Sequence, residues 1–175
     1  MDRPSYDRLR SQHADFPAVL ANLLRGADAA LLRAREAEGR WSPLEILAHL
    51  RDEEVEDFRP RAEAAAAGRR IERAIDPERW VVERRYNEMD PARVLAEFAT
   101  ERQRSCRWLA ALDLARLDSR PVHPELARMR CGDFIAAWRM HDLLHLRQLA
   151  TALVILTPRG FSGWRIEYAG KIPGA

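Results

Sequence analysis

Cysteine is nearly absent. The 175 residues hold two, Cys106 and Cys131, and neither sits in a CxxC pair. Two thiols in a chain this long make no disulfide framework, so a reducing, cytoplasmic setting is expected. Met1-Asp2-Arg3-Pro4 carries no apolar signal region, and the longest strongly apolar run, around 149–156, is far shorter than a membrane span. Charge of one sign is lacking too. The 29 basic and 27 acidic residues leave a net charge of +2, interspersed along the chain. The densest basic stretches, Arg69-Arg70 and Arg84-Arg85, are short and have acidic neighbours. They read as solvated surface, so neither nucleic acid nor a membrane is an expected partner. Gly and Pro are scattered, and no linker stands out.

What is present is a composition of 47% hydrophobic and 32% charged residues, which is that of a soluble globular domain. Apolar residues recur at three- and four-residue spacing almost throughout, with no alternating run long enough for a central strand. Four long helices are predicted. The first spans 7–37, with Phe16, Leu20, Leu23, Ala27, Ala30 and Leu31 as its apolar stripe and Gly39 as its stop. Ser42, Pro43 and Glu45 form a capping box for the second, which runs to Ala67 before Gly68 through Ile46, Leu47, Leu50, Val55 and Phe58. Pro60 predicts a kink or break inside it. Within the irregular stretch 69–89, Asp76-Pro77 reads as a turn and Trp80-Val81-Val82 as a short extended piece. Asp90-Pro91 opens the third helix, which runs to Leu112. A connection at 113–131 leads to the fourth, from Gly132 or Asp133 to Leu156. The tail after Pro158 reads as a loop or short strand packed on the bundle. The expectation is one all-α domain over 1–175, a four-helix bundle with its core at about 7–156 and a tail at 157–175.

Three histidines interrupt the apolar stripes. His141 and His145, at i and i+4, share a face with Phe134, Trp138, Leu149 and Ala152, and two imidazoles so spaced can hold one cation. His49 sits on the second helix's face with Ile46 and Leu50. Taken singly, each reads as a hydrogen-bonded core histidine. Taken together, they read as three ligands that leave an open position, the pattern of a catalytic metal site. Zn²⁺ or Ni²⁺ suits such nitrogen donors. Glu53, four residues after His49, is the candidate catalytic residue. It could be a fourth ligand, an acceptor behind an imidazole N–H, or a rim residue at the bundle mouth; the last two together are preferred. Asp142 points about 100° away from His141 and should not reach the ion, which also argues against a zincin protease. His13 and His123 read as surface or loop residues. Arg102 and Ser105 could line the pocket, although ordinary exposure is the expectation for each. Cys106 and Cys131 read as structural. Because imidazole ligates only when neutral, metal should be lost below about pH 6.

Trp41-Ser42-Pro43-Leu44-Glu45-Ile46-Leu47-Ala48-His49-Leu50 with Asp52-Glu53-Glu54 resembles the second-helix signature of the DinB superfamily. His123-Pro124-Glu125-Leu126-Ala127-Arg128-Met129, Trp138 and His141-Asp142-Leu143-Leu144-His145-Leu146-Arg147-Gln148-Leu149 resemble its fourth-helix region. The resemblance spans roughly residues 7–156. It implies an up-down-down-up four-helix bundle, often a homodimer, with a metal held at the positions of His49, His141 and His145. YfiT-like members are described as metal-dependent hydrolases, and others use low-molecular-weight thiols as transferases or isomerases. The implied activity is therefore hydrolase or thiol-dependent transferase on a small-molecule substrate. The alternative is a non-catalytic, stress-related metal- or ligand-binding bundle. Ala127 stands where relatives often carry Gly, which implies a local loop difference.

Overall fold

The computed structural model describes residues 1–72 and 74–171. Its helices are α1 (Arg3–Leu23), α2 (Ala29–Arg33), α3 (Pro43–Glu56), α4 (Phe58–Ala67), α5 (Pro77–Glu83), α6 (Pro91–Ala111) and α7 (Cys131–Leu156). Among the described residues there is no strand, only a single bridge between Arg70 and Val122.

The starts follow one local rule. Asp2, Asp28, Ser42, Asp76 and Asp90 each accept a hydrogen bond from a backbone N–H of the first turn, and prolines stand at the first or second position of α1, α3, α5 and α6. That rule corrects the reading of Trp80-Val81-Val82 as extended. Asp76-Pro77 is a helix start like Asp90-Pro91, and it carries the two valines into α5 despite their β preference. The first predicted helix is likewise two. Leu24 caps α1, Gly26 takes a left-handed φ of 81°, and Asp28 starts α2. The break shifts the buried set, so Leu24 and Leu32 are inside while Leu23 and Ala30 are exposed and Leu31 is half-buried. Val55 is exposed as well, against expectation. The break predicted near Pro60 falls at Asp57, the joint between α3 and α4. Pro60 has no N–H for the Glu56 carbonyl and its ring crowds that carbonyl, so the chain turns out just before it. Gly68 ends α4 in the left-handed conformation, as expected. The tail forms short 3₁₀ turns at Thr157–Gly160 and Glu167–Ala169 and no strand as far as Lys171; its last residues, 172–175, lie outside the described residues.

Side-chain contacts give the connectivity. Tyr6 Oη donates to the Leu109 carbonyl (2.7 Å) and Phe16 meets Phe98, so α1 and α6 are antiparallel. Arg51 to Glu97, Glu54 to Arg102 and Arg59 to Ser105 run in step, so α3–α4 is parallel to α6. His49 meets His145 while Phe58 stacks on Trp138, so α7 is antiparallel to α3–α4. His13 meets Trp138 and Arg139 lies over Phe16, so α7 is parallel to α1. The four long elements are thus an up-down-down-up bundle.

Two apolar clusters fill it. One gathers Phe16, Leu20, Leu44, Leu47, Leu50, Tyr86, Phe98 and Leu149; the other gathers Tyr6, Ala62, Ala65, Leu109, Leu117, Cys131, Phe134 and Ile135. Between these sets every long helix carries a buried polar residue, His13 on α1, Glu53 and Glu54 on α3, Arg102 and Ser105 on α6, and Asp142 on α7, beside the buried rings of Phe58 and Trp138. The bundle has a polar waist between two oily halves.

Candidate metal centre

The capping box at Ser42 and Glu45 fixes where α3 begins, and so where His49 falls, less than two turns in. His141 and His145 come from the middle of α7. The three Nε2 atoms form a near-equilateral triangle: 3.2 Å from His49 to His141, 3.2 Å from His49 to His145, and 3.1 Å from His141 to His145. His49 is buried and the other two are half-buried. Trp41 packs 4.9 Å from the His49 ring and lies parallel to His145, while Phe58 packs 4.9 Å from His141. The structure therefore brings together all three histidines picked from the sequence.

The donors suit a divalent ion. Burial pushes His49 down to about 2 and His141 down to about 3, with neighbouring imidazoles adding to the effect, and burial lowers His145 as well. All three are neutral at neutral pH. The Nδ1 of His145 is 2.8 Å from Gln148 Oε1, and donating there leaves its Nε2 as a bare lone pair. His49 Nδ1 and His141 Nδ1 are buried without hydrogen-bond partners. Three lone pairs at such spacing repel, whereas one ion about 2.0–2.1 Å from each nitrogen fits the triangle.

Glu53 is not at a rim. It is 3% exposed, with Oε1 3.6 Å from His49 Nδ1, on the side of the ring away from the triangle. It lies behind the imidazole, but at that distance neither its Oε1 nor His49 Nδ1 has a hydrogen-bond partner. Burial, then the negative charge of Asp57, pushes its carboxyl up to about 9. Asp142 points away from the triangle, as expected, and pairs with Arg102 through two bonds of 2.7–2.8 Å. Burial alone would raise Asp142, but Arg102 outweighs it and holds Asp142 near 2.

Three expectations need correction. His13 is not a surface residue; it is fully buried, with Nδ1 3.3 Å from Asp142 Oδ2. Arg102 and Ser105 are not exposed. Arg102 binds Glu54 and Asp142, and Ser105 donates to Glu54 (2.6 Å). Each corrected residue turns inward toward a partner distant in sequence. His123 is in a loop, as expected, where its Nδ1 accepts from the N–H groups of Glu125 and Leu126. Burial raises both thiols, Cys131 to about 11, which fits their inert reading. Sequence reasoning missed Gln148, although its place three residues after His145 was a readable signal. It also missed Trp41, Phe58 and the waist partner Glu54, whose contacts cross between helices.

In the metal-free chain these shifts give stability a pH dependence. A histidine kept neutral by the fold takes up a proton on unfolding at any pH between its lowered folded value and the ordinary 6.5. The stability from His13, His49, His141 and His145 is full above about pH 6.5 and drains as pH falls, by at most about 1.4 kcal/mol per unit for each. Glu53 acts oppositely: its contribution is full below about 4.5 and lost as pH rises toward 9. Four histidines prevail on the acid side. Urea unfolding followed by circular dichroism should show the midpoint falling steeply between about pH 6.5 and 5; a flat midpoint there would contradict neutral burial.

A model of the DinB superfamily matches residues 10–149. Among solved structures, YfiT from Bacillus subtilis is described as "a probable metal-dependent hydrolase with an unusual four-helix bundle topology". It aligns with a TM-score of 0.78 at 17% identity, over 94% of this chain and 91% of its own. That likeness establishes the fold. No curated protein matches the sequence. Among the described residues no helix is long and apolar enough to cross a membrane.

Proposed function

Since this chain belongs to the DinB superfamily, we propose that His49, His141 and His145 hold one divalent ion, Zn²⁺ or Ni²⁺, for metal-dependent hydrolysis of a small molecule. The observation that carries this reading is the triangle of three neutral Nε2 atoms, all within 3.2 Å of one another. A divalent ion with an open position polarises a carbonyl or phosphoryl oxygen and lowers the pKa of water. The description of YfiT as a metal-dependent hydrolase supports hydrolysis over thiol transfer.

The chain's own groups divide the remaining work. Gln148 keeps the proton of His145 on Nδ1, which presents Nε2 to the centre. Glu53 stands 3.6 Å behind His49 Nδ1, on the side away from the triangle, and that distance from the triangle fits positioning better than ligation. Trp41 and Phe58 wall the cluster with apolar surface and keep water from two of the rings. The half-exposure of His141 and His145 leaves a side from which a substrate can approach.

The test uses chain purified without a histidine tag. Elemental analysis should find about one ion per chain, as isolated or after loading with Zn²⁺ or Ni²⁺. Ester and amide substrates should turn over with the ion, stop with a chelator, and need no added thiol. Less than about a tenth of an equivalent after loading overturns the metal reading. Turnover only with a low-molecular-weight thiol replaces hydrolysis with transfer, and an ion without any turnover leaves a binding protein.

A further inference from the structure

The polar waist demands an explanation of its own. Arg102 is 1% exposed and sits at its centre. Its Nε donates to Glu54 Oε1 (2.8 Å), and its two terminal nitrogens grip Asp142. Trp138 Nε1 donates to Glu54 Oε1 (2.9 Å), and Ser105 Oγ donates to Glu54 Oε2 (2.6 Å). His13 faces Asp142 from α1. One network thus joins all four long helices. Glu54 is five residues beyond His49, Asp142 adjoins His141, and Trp138 lies three residues before it.

We propose that this Arg102-centred layer is a register device that fixes how far α7 stands along α3, and so keeps His49 aligned with His141 and His145. This rests on the metal reading above. The triangle is built from two antiparallel helices, and ligand distances must hold to within about 0.2 Å. Apolar packing on either side of the waist is non-directional and lets helices shear. Outside the imidazoles, the Trp138–Glu54 hydrogen bond ties α3 directly to α7. Arg102, with its planar fork, ties the same two helices through α6. Buried ion pairs add little net stability over apolar side chains of similar size. A charged layer between two apolar clusters therefore adds alignment, as a single buried polar residue does in a coiled coil. Arg102, Glu54, Asp142 and Trp138 are positioning residues in this account.

Two variants of the full chain test it. Trp138→Phe removes the indole N–H and keeps a ring against Phe58. The second variant makes the layer apolar: His13→Leu, Glu54→Leu, Arg102→Met, Trp138→Phe and Asp142→Leu together. Zn²⁺ affinity is read by competition with a chromophoric chelator, geometry by the visible spectrum of Co²⁺-loaded protein, and stability by urea unfolding without metal. The apolar variant should unfold cooperatively and as late as the parent, yet bind Zn²⁺ about 10–100-fold more weakly, with altered Co²⁺ bands. Trp138→Phe should shift both metal readouts the same way, by about tenfold or less in affinity. A merely structural layer predicts the reverse, with stability lost and the folded protein keeping the parent affinity and spectrum; that result overturns the proposal. If the apolar variant does not fold, Trp138→Phe decides by the same criterion. A parent that binds no Zn²⁺ overturns the metal reading and this proposal with it. A binding parent matched by its variants overturns this proposal alone.

Discussion

Changing His49, His141 or His145 to alanine should empty the proposed metal site, each change by itself. Bound ion falls from about one per chain to less than about a tenth. Three ligands at one centre leave no redundancy, and two imidazoles hold an ion much more weakly than three. The stability readout is separate from the content readout. An ion at about a thousand times its dissociation constant stabilises the parent by about 4 kcal/mol, because it binds only the folded chain. That increment in thermal or urea unfolding should vanish in all three variants. The metal-free variants should stay folded. His49 Nδ1 and His141 Nδ1 are buried without partners, so removing either of those two rings also removes a polar cost. A single variant that still holds a full equivalent would sink the three-ligand assignment, and elemental analysis of the three proteins side by side is the check.

Arg102→Met alone has the other large expected effect, this time on stability. It strips Glu54 of its guanidinium and leaves Asp142 with only the longer Arg139 contact at 3.9 Å, and both acids are fully buried. Breaking a buried pair from one side costs about 3–5 kcal/mol, a large share of the stability of an ordinary domain. Burial alone would push the Arg102 guanidinium down, yet the two carboxylates outweigh it and hold it above the usual arginine range. The guanidinium charge in the parent is therefore fixed at any working pH. Urea unfolding of parent and variant near neutral pH measures the loss. A difference below about 1 kcal/mol would mean that water reaches the waist and solvates the stranded acids. Half a network is costly, whereas an all-apolar layer should be tolerated.

The histidine cluster was legible from residues alone because its signals are local. His141 and His145 share a face by helix periodicity, and His49 interrupts an apolar stripe whose start is marked by Ser42, Pro43 and Glu45. The resemblance to the DinB superfamily drew on those same residues. Glu53 was found for the same reason, at i+4 from His49, but its depth was not, because no local pattern says how far α7 covers α3. The misreadings divide in the same way. Trp80-Val81-Val82 is helical and not extended because the cap at Asp76, a local signal, outweighs the β preference of the two valines. His13, Arg102 and Ser105 were misjudged because each looks like a polar residue on an amphipathic helix until the facing helix is known.

The sequence by itself determined where helices begin and end, which faces are apolar, and which three imidazoles stand out from them. Those properties depend on residues within a few positions of one another, through caps, prolines and the 3.6-residue period. Only the tertiary structure decided that His13, Glu54, Arg102 and Asp142 share one buried layer, and that the three Nε2 atoms converge to within 3.2 Å. A buried charge is stable only beside its partner, and that partner is brought by a different helix, so the information lies in the packing and not in any segment of the chain.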